Sequence, residues 1–129
     1  MEILFIVSGI ALIQYMFFGV QVGMARGKYG IKAPETTGHD VFERYYRVHY
    51  NTMEQLIVFL PSFWGFAYYI DINWGAGIGC GYLVGRVIYA LTYVRNPDSR
   101  GAGVMITSLS IWILLGGALY GAIDSLLAA

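Results

Sequence analysis

Four long apolar runs, separated by polar intervals of unequal length, set the first expectation for this 129-residue chain. Ile3–Ala25 carries no charge, Val48–Ile70 carries only Glu54, Ile72–Val94 only Arg86, and Gly101–Ile123 none. An α-helix rises about 1.5 Å per residue, so about 20 apolar residues cross a hydrocarbon core of about 30 Å. Each run is long enough. Backbone groups in lipid must be satisfied within their own segment, so the runs are expected to be helices, and no alternating strand pattern argues for a barrel. The expectation is one all-α domain over 1–129, an integral-membrane four-helix bundle with helices at about 3–25, 42–70, 72–95 and 101–125.

The polar intervals differ in kind. Residues 26–40 hold Lys28, Lys32, Pro34, Glu35 and Thr36-Thr37-Gly38, a loop long enough to have work of its own. Asp71-Ile72-Asn73 reads as a tight turn. Asn96-Pro97-Asp98 ends the third helix, because proline cannot continue a helix and disfavours helix in the residue before it. Five of the eight Lys and Arg residues fall between Arg26 and Arg47, and the other three between Arg86 and Arg100. By the positive-inside rule both basic connections face the cytoplasm, and the termini and the Asp71 turn face outward.

The polar residues inside the runs are not scattered. Arg44, Arg47, Asn51 and Glu54 recur at helical spacing, which puts them on one face of a second helix that begins ahead of the membrane, near Asp40. Arg86, Tyr89 and Tyr93 share a face of the third. Ionisable residues at membrane depth are costly and mark functional sites by default. Together these stripes offer several guanidiniums, one carboxylate, an amide and two phenols. Arginine's planar fork suits carboxylates, and a buried carboxylate suits an ammonium. A ligand with two carboxylates and one amine, such as a small zwitterionic peptide, fits that set. A plainer account is a Glu54–Arg86 ion pair that locks the second helix to the third, but it leaves Arg47, Asn51, Tyr89, Tyr93 and Arg100 without a reason to line up.

Composition narrows the field further. Hydrophobic residues make up 57% and charged residues 12%, too apolar for an ordinary soluble domain, and zero net charge gives no case for nucleic acid. A single cysteine, Cys80, allows no internal disulfide, and no metal-ligand spacing of Cys and His occurs. No basic leader precedes the first run, which reads as a retained helix and not a cleaved signal. Arg95, Arg100 and the tyrosines also have plain readings as topology determinants and interfacial residues. His49 lies off the stripe and reads as interfacial. The glycines Gly75, Gly77, Gly79, Gly81, Gly85 and Gly116-Gly117 read as close-packing positions between helices.

The segment Phe42-Glu43-Arg44-Tyr45-Tyr46-Arg47-Val48-His49-Tyr50-Asn51-Thr52-Met53-Glu54 resembles the signature F-E-R-x-x-R-x-x-x-N-x-x-E of the MAPEG family, the membrane-associated proteins in eicosanoid and glutathione metabolism. Ala25-Arg26 and Thr36-Thr37-Gly38 resemble that family's first loop, and Gly85-Arg86-Val87-Ile88-Tyr89 with Tyr93 its third helix. The resemblance is closest to the microsomal glutathione transferase and cysteinyl-leukotriene synthase branch. It implies four helices per chain, a homotrimer, and glutathione bound as co-substrate from the cytoplasmic side near subunit boundaries, with no metal. Residue by residue, it assigns glutathione contacts to Arg26, Arg47, Asn51, Glu54, Arg86, Tyr89 and Tyr93, and activation of the thiol to Arg100.

The implied activity is a glutathione transferase that conjugates hydrophobic electrophiles or reduces lipid hydroperoxides. The departures from the synthase pattern are Gly27 after Arg26, Gln55 after Glu54, and His49, and they bear on the acceptor more than on glutathione. Two rival functions stay open at this point. One is a non-enzymatic lipid-binding or scaffold member of the same family. The other is a small four-helix multidrug exporter using Glu54 as its proton carrier.

Overall fold

The computed structural model describes residues 1–129 as four long helices, α1 (Glu2–Tyr29), α2 (Asp40–Tyr69), α3 (Ile72–Arg95) and α4 (Gly101–Ala128). α1 runs four residues past its apolar run, so Arg26 and Lys28 stand in its last turn, where cations complement the helix dipole. Gly30 then ends it in the left-handed region, at φ 68°, a conformation glycine adopts without a Cβ clash. α2 is capped by His39, whose Nδ1 accepts the Val41 backbone N–H at 3.1 Å, and carries Asp40 and Glu43 in its first turn. Its first eight residues precede the apolar run, a rise of about 12 Å. The Asp71 side chain caps α3 by accepting from the Trp74 N–H at 2.7 Å. After α3, Asn96 caps a 3₁₀ turn, Pro97–Ser99, and α4 follows at once.

α2 packs against α1, α3 and α4, and α3 lies closely along α4. α1, α3 and the segment 97–128 are each long and apolar enough to cross a membrane by composition. α2, which carries the polar stripe, is flanked by the other three helices. The chain is a multi-pass integral membrane protein with an all-α four-helix fold.

The largest apolar core lies in the half remote from the basic connections. It joins Leu4, Val7 and Ala11 of α1 to Phe59 and Phe63 of α2, Tyr82 of α3 and Leu114 of α4. The Phe59 and Tyr82 rings stack at 3.8 Å between centroids. In the same half Trp64 Nε1 donates to Ser8 Oγ at 2.8 Å, a polar clasp between α2 and α1.

The closest helix approach is between α3 and α4, and Gly103 makes it possible. A Cβ there would run into the Tyr89 backbone, and one on Gly85 would meet the Thr107 N at 2.9 Å. Gly103 was absent from the glycines singled out in the sequence, whereas Gly77 and Gly116, which were included, face open space. Glycine count marks a close seam only when the neighbour's position is known.

Candidate functional site

At the basic end, the seam of α2, α3 and α4 opens into a mainly polar cavity of about 220 Å³. α2 contributes Arg47, Asn51 and Gln55, and α3 contributes Arg86 and Tyr89. Arg100, at the start of α4, completes the set with Val104, Thr107 and Ser108. The α2 residues reach the cavity because 47, 51 and 55 recur every helical turn, and Arg100, Val104 and Ser108 do the same at the start of α4, with Thr107 beside them.

Arg86 is the centre of the arrangement, with a residue exposure of 1%. Its Nη1 donates to Asn51 Oδ1 at 2.8 Å and to Thr52 Oγ1 at 3.4 Å, and its guanidinium lies 4.4 Å from the Tyr89 ring centroid. Thr52 is held for this by donating its own hydroxyl to Val48 O at 2.7 Å. Arg86 Nε has no partner in the chain, and neither does Thr107 Oγ1, at a residue exposure of 2%.

The Glu54–Arg86 ion pair does not form. Glu54 Oε1 instead lies 3.6 Å from Arg47 Nη1, a pair about half exposed on each side, and accepts from Asn51 Nδ2 at 3.4 Å. Asn51 thus stands between the carboxylate and the buried guanidinium. The physical reason is register: Glu54 shares the α2 face with Arg47 two turns away, while Asn51 and Thr52 are the α2 side chains opposite Arg86. Three guanidiniums then meet at the cavity, and Glu54 is not among its lining residues but lies behind Arg47 and Asn51, in contact with both.

Tyr93 sits outside this cavity, in an adjoining, more open groove of about 460 Å³ that shares Arg47 and also holds Arg44, Asp40 and Glu43. Its ring stacks on Tyr89 at 5.4 Å, so the two tyrosines bridge cavity and groove. Arg44 Nη1 donates to Val94 O at 3.1 Å and ties α2 to the end of α3.

Arg26 is not brought to the site within one chain. Its Nη1 donates to Glu35 O at 2.7 Å and its guanidinium covers the Phe42 ring at 5.0 Å, bracing the loop between α1 and α2. His49 is also elsewhere, stacked on Tyr15 at 4.5 Å. Sequence reasoning missed Thr52, Gln55, Thr107 and Ser108. Gln55 was readable as one turn beyond Asn51, and Thr107 and Ser108 as two turns beyond Arg100. Thr52 had no signal, since it lies off the polar stripe. No group of His, Cys, Asp and Glu side chains is placed to hold a metal ion.

Comparison with known proteins places this geometry in context. The profile of the MAPEG family matches residues 4–120. An uncharacterised protein of Synechocystis is 44% identical over 88% of this chain and 83% of its own length. Human microsomal glutathione S-transferase 2 is 33% identical over 84% of the chain and 74% of that protein. Leukotriene C4 synthase of Cavia porcellus is also 33% identical, over 88% of the chain and 75% of that protein. The last two stand level, so identity does not separate the transferase branch from the synthase branch.

Proposed function

The chain belongs to the MAPEG family, and on that footing we propose that it is a membrane-bound glutathione transferase working at the cavity between α2, α3 and α4. The observation that carries the proposal is Arg86. A guanidinium at membrane depth costs on the order of 2.5–3.5 kcal/mol on insertion scales. Asn51, Thr52 and the Tyr89 face solvate this one, but no carboxylate neutralises it. Arg47 and Arg100 add two more cations on the same cavity, against Glu54 alone. A site with surplus positive charge and one carboxylate held beside it by Arg47 and Asn51 suits a peptide with two carboxylates, one ammonium and an ionisable thiol. Glutathione is that peptide.

In this reading Arg47 and Arg86 hold the carboxylates, and Glu54 with Asn51 orients the ammonium end. Tyr89 and Tyr93 flank the entry. Arg100 faces the sulfur. A free thiol has a pKa near 8.5, so only a few per cent is ionised at neutral pH. A guanidinium beside the sulfur lowers such a pKa by about 1–3 units. The thiolate then attacks an electrophilic carbon of an apolar acceptor supplied by the bilayer, a carbon–sulfur bond forms, and the leaving group departs with its electron pair. With a lipid hydroperoxide the thiolate takes the outer oxygen, the lipid leaves as its alcohol, and a second glutathione converts the sulfenic product to the disulfide and water. The same reading puts both basic connections in the cytoplasm and three copies around one axis.

The deciding experiment is an assay of the purified protein in detergent with glutathione and a small electrophile, and separately with a lipid hydroperoxide. Turnover of either supports the transferase reading. Glutathione binding without turnover of either favours the lipid-binding member of the family. Release of protons on drug binding, with no glutathione binding, favours the exporter.

A further inference from the structure

On the side of α1 turned away from the glutathione cavity, two grooves meet. One, about 310 Å³, runs between α1 and α3, with Phe17 and Phe18 on one wall and Val87, Leu91 and Val94 on the other. The second, also about 310 Å³, lies nearer the basic end, against Met24, Lys28 and Tyr29. Gln21 and Tyr45 line both, so they form one continuous trough. Its inner part is strongly apolar, and its outer part is less so, with Gln21 and Lys28 among Met24, Ala25 and two tyrosines.

Two cations stand on this trough without an acidic partner: Lys28 on the outer groove and Arg95 at the end of the inner one. Arg95 makes no side-chain hydrogen bond in the chain, in contrast to Arg26, Arg44, Arg47 and Arg86, each tied to a named oxygen. Lys28 has only the Tyr29 ring, 5.4 Å away. Nothing in the proposed transferase uses either residue.

We propose that this trough is a binding site for an anionic phospholipid, with one acyl chain along Phe17 and Leu91 and the phosphate head between Lys28 and Arg95. Basic pockets between transmembrane helices on the cytoplasmic side take such heads. Two cations on separate helices match a phosphate's spread of oxygens better than a single carboxylate, which one arginine fork satisfies. The site ties the end of α1 to the end of α3, elements that otherwise share little contact.

The test uses the whole protein in phosphatidylcholine nanodiscs containing a minor share of spin-labelled lipid. The probes are spin-labelled phosphatidylglycerol, phosphatidylcholine and stearic acid, and the readout is the motionally restricted fraction. Phosphatidylglycerol should be preferred over phosphatidylcholine by about thirtyfold, the scale of two cations acting on one anionic head. Lys28→Gln/Arg95→Gln should abolish the preference. Leu91→Trp, which fills the trough and keeps both cations, should also reduce the restricted fraction. Glutathione binding at the opposite cavity should be unchanged in both, so a failure of the lipid site and a failure of the transferase reading are told apart. Equal restriction of phosphatidylglycerol and phosphatidylcholine overturns the proposal. So does stronger restriction of stearic acid, or a preference that survives the double substitution. Ready disulfide formation between copies carrying Gln21→Cys in a Cys80→Ser background overturns it too, because it shows a second chain covering the trough.

Discussion

Asn51 accepts a hydrogen bond from Arg86 at 2.8 Å across the α2–α3 seam, and at 3.4 Å it passes one of its own to Glu54. The amide therefore separates two opposite charges that could have neutralised each other. The consequence is a buried cation whose charge is left for a ligand.

Asn51→Ala removes the best acceptor of a buried guanidinium. It should lower stability in detergent by about 1–3 kcal/mol, the cost of leaving a buried polar group unsatisfied, and weaken glutathione binding as well. Asn51→Asp separates the two effects. It gives Arg86 a counter-ion, so stability should exceed that of Asn51→Ala, but it cancels charge the ligand needs, so binding stays weak. Denaturant titrations and calorimetry on both variants check this.

Glu54→Gln leaves the shape of the site and removes its carboxylate. Glutathione should bind about 1–3 kcal/mol more weakly, the scale of a charge-assisted hydrogen bond to the ammonium. The Arg47–Glu54 pair is half exposed, so its loss alone should have little effect on stability. Unchanged affinity by calorimetry in a correctly folded variant removes Glu54 from the site.

Arg100→Ala should leave glutathione binding largely in place, because Arg47, Asn51 and Arg86 remain. Thiolate absorbance of the bound peptide should fall, and turnover should slow by about tenfold or more if Arg100 supplies at least one pKa unit. A wild-type thiolate yield would pass the role to another cation.

The orientation can be read with single cysteines in a Cys80→Ser background. Cysteines at Thr37 and Asp98 should be protected from an impermeant thiol reagent in intact cells, and one at Asn73 should react. The reverse pattern would invert the topology.

Assembly bears on Arg26, which braces its own loop and stays outside the cavity of its own chain. In a trimer of one repeated heterologous interface, that loop is free to approach a neighbour's site. Mass measurement in mild detergent should report three chains. A monomer active with glutathione would exclude both the trimer and a shared site.

Much of this was legible in the chain itself because the signals were local. Four apolar runs of sufficient length, backbone that must satisfy itself in lipid, and cations confined to two connections are enough for a multi-pass helical bundle and its segregated charge. Helical periodicity alone put Arg47, Asn51 and Glu54 on one face, and Arg86 and Tyr89 on another. Tertiary structure decided what those faces meet. Packing chose Asn51 and Thr52, not Glu54, as the partners of Arg86, because the rotation of one helix against another is a long-range outcome that no spacing within a helix encodes. It made α2 the helix flanked by the other three. It brought Thr107 and Ser108 of α4 to the cavity through the Gly103 contact with the Tyr89 backbone, and it left Arg26 outside, since its guanidinium found Glu35 O and the Phe42 ring nearer at hand.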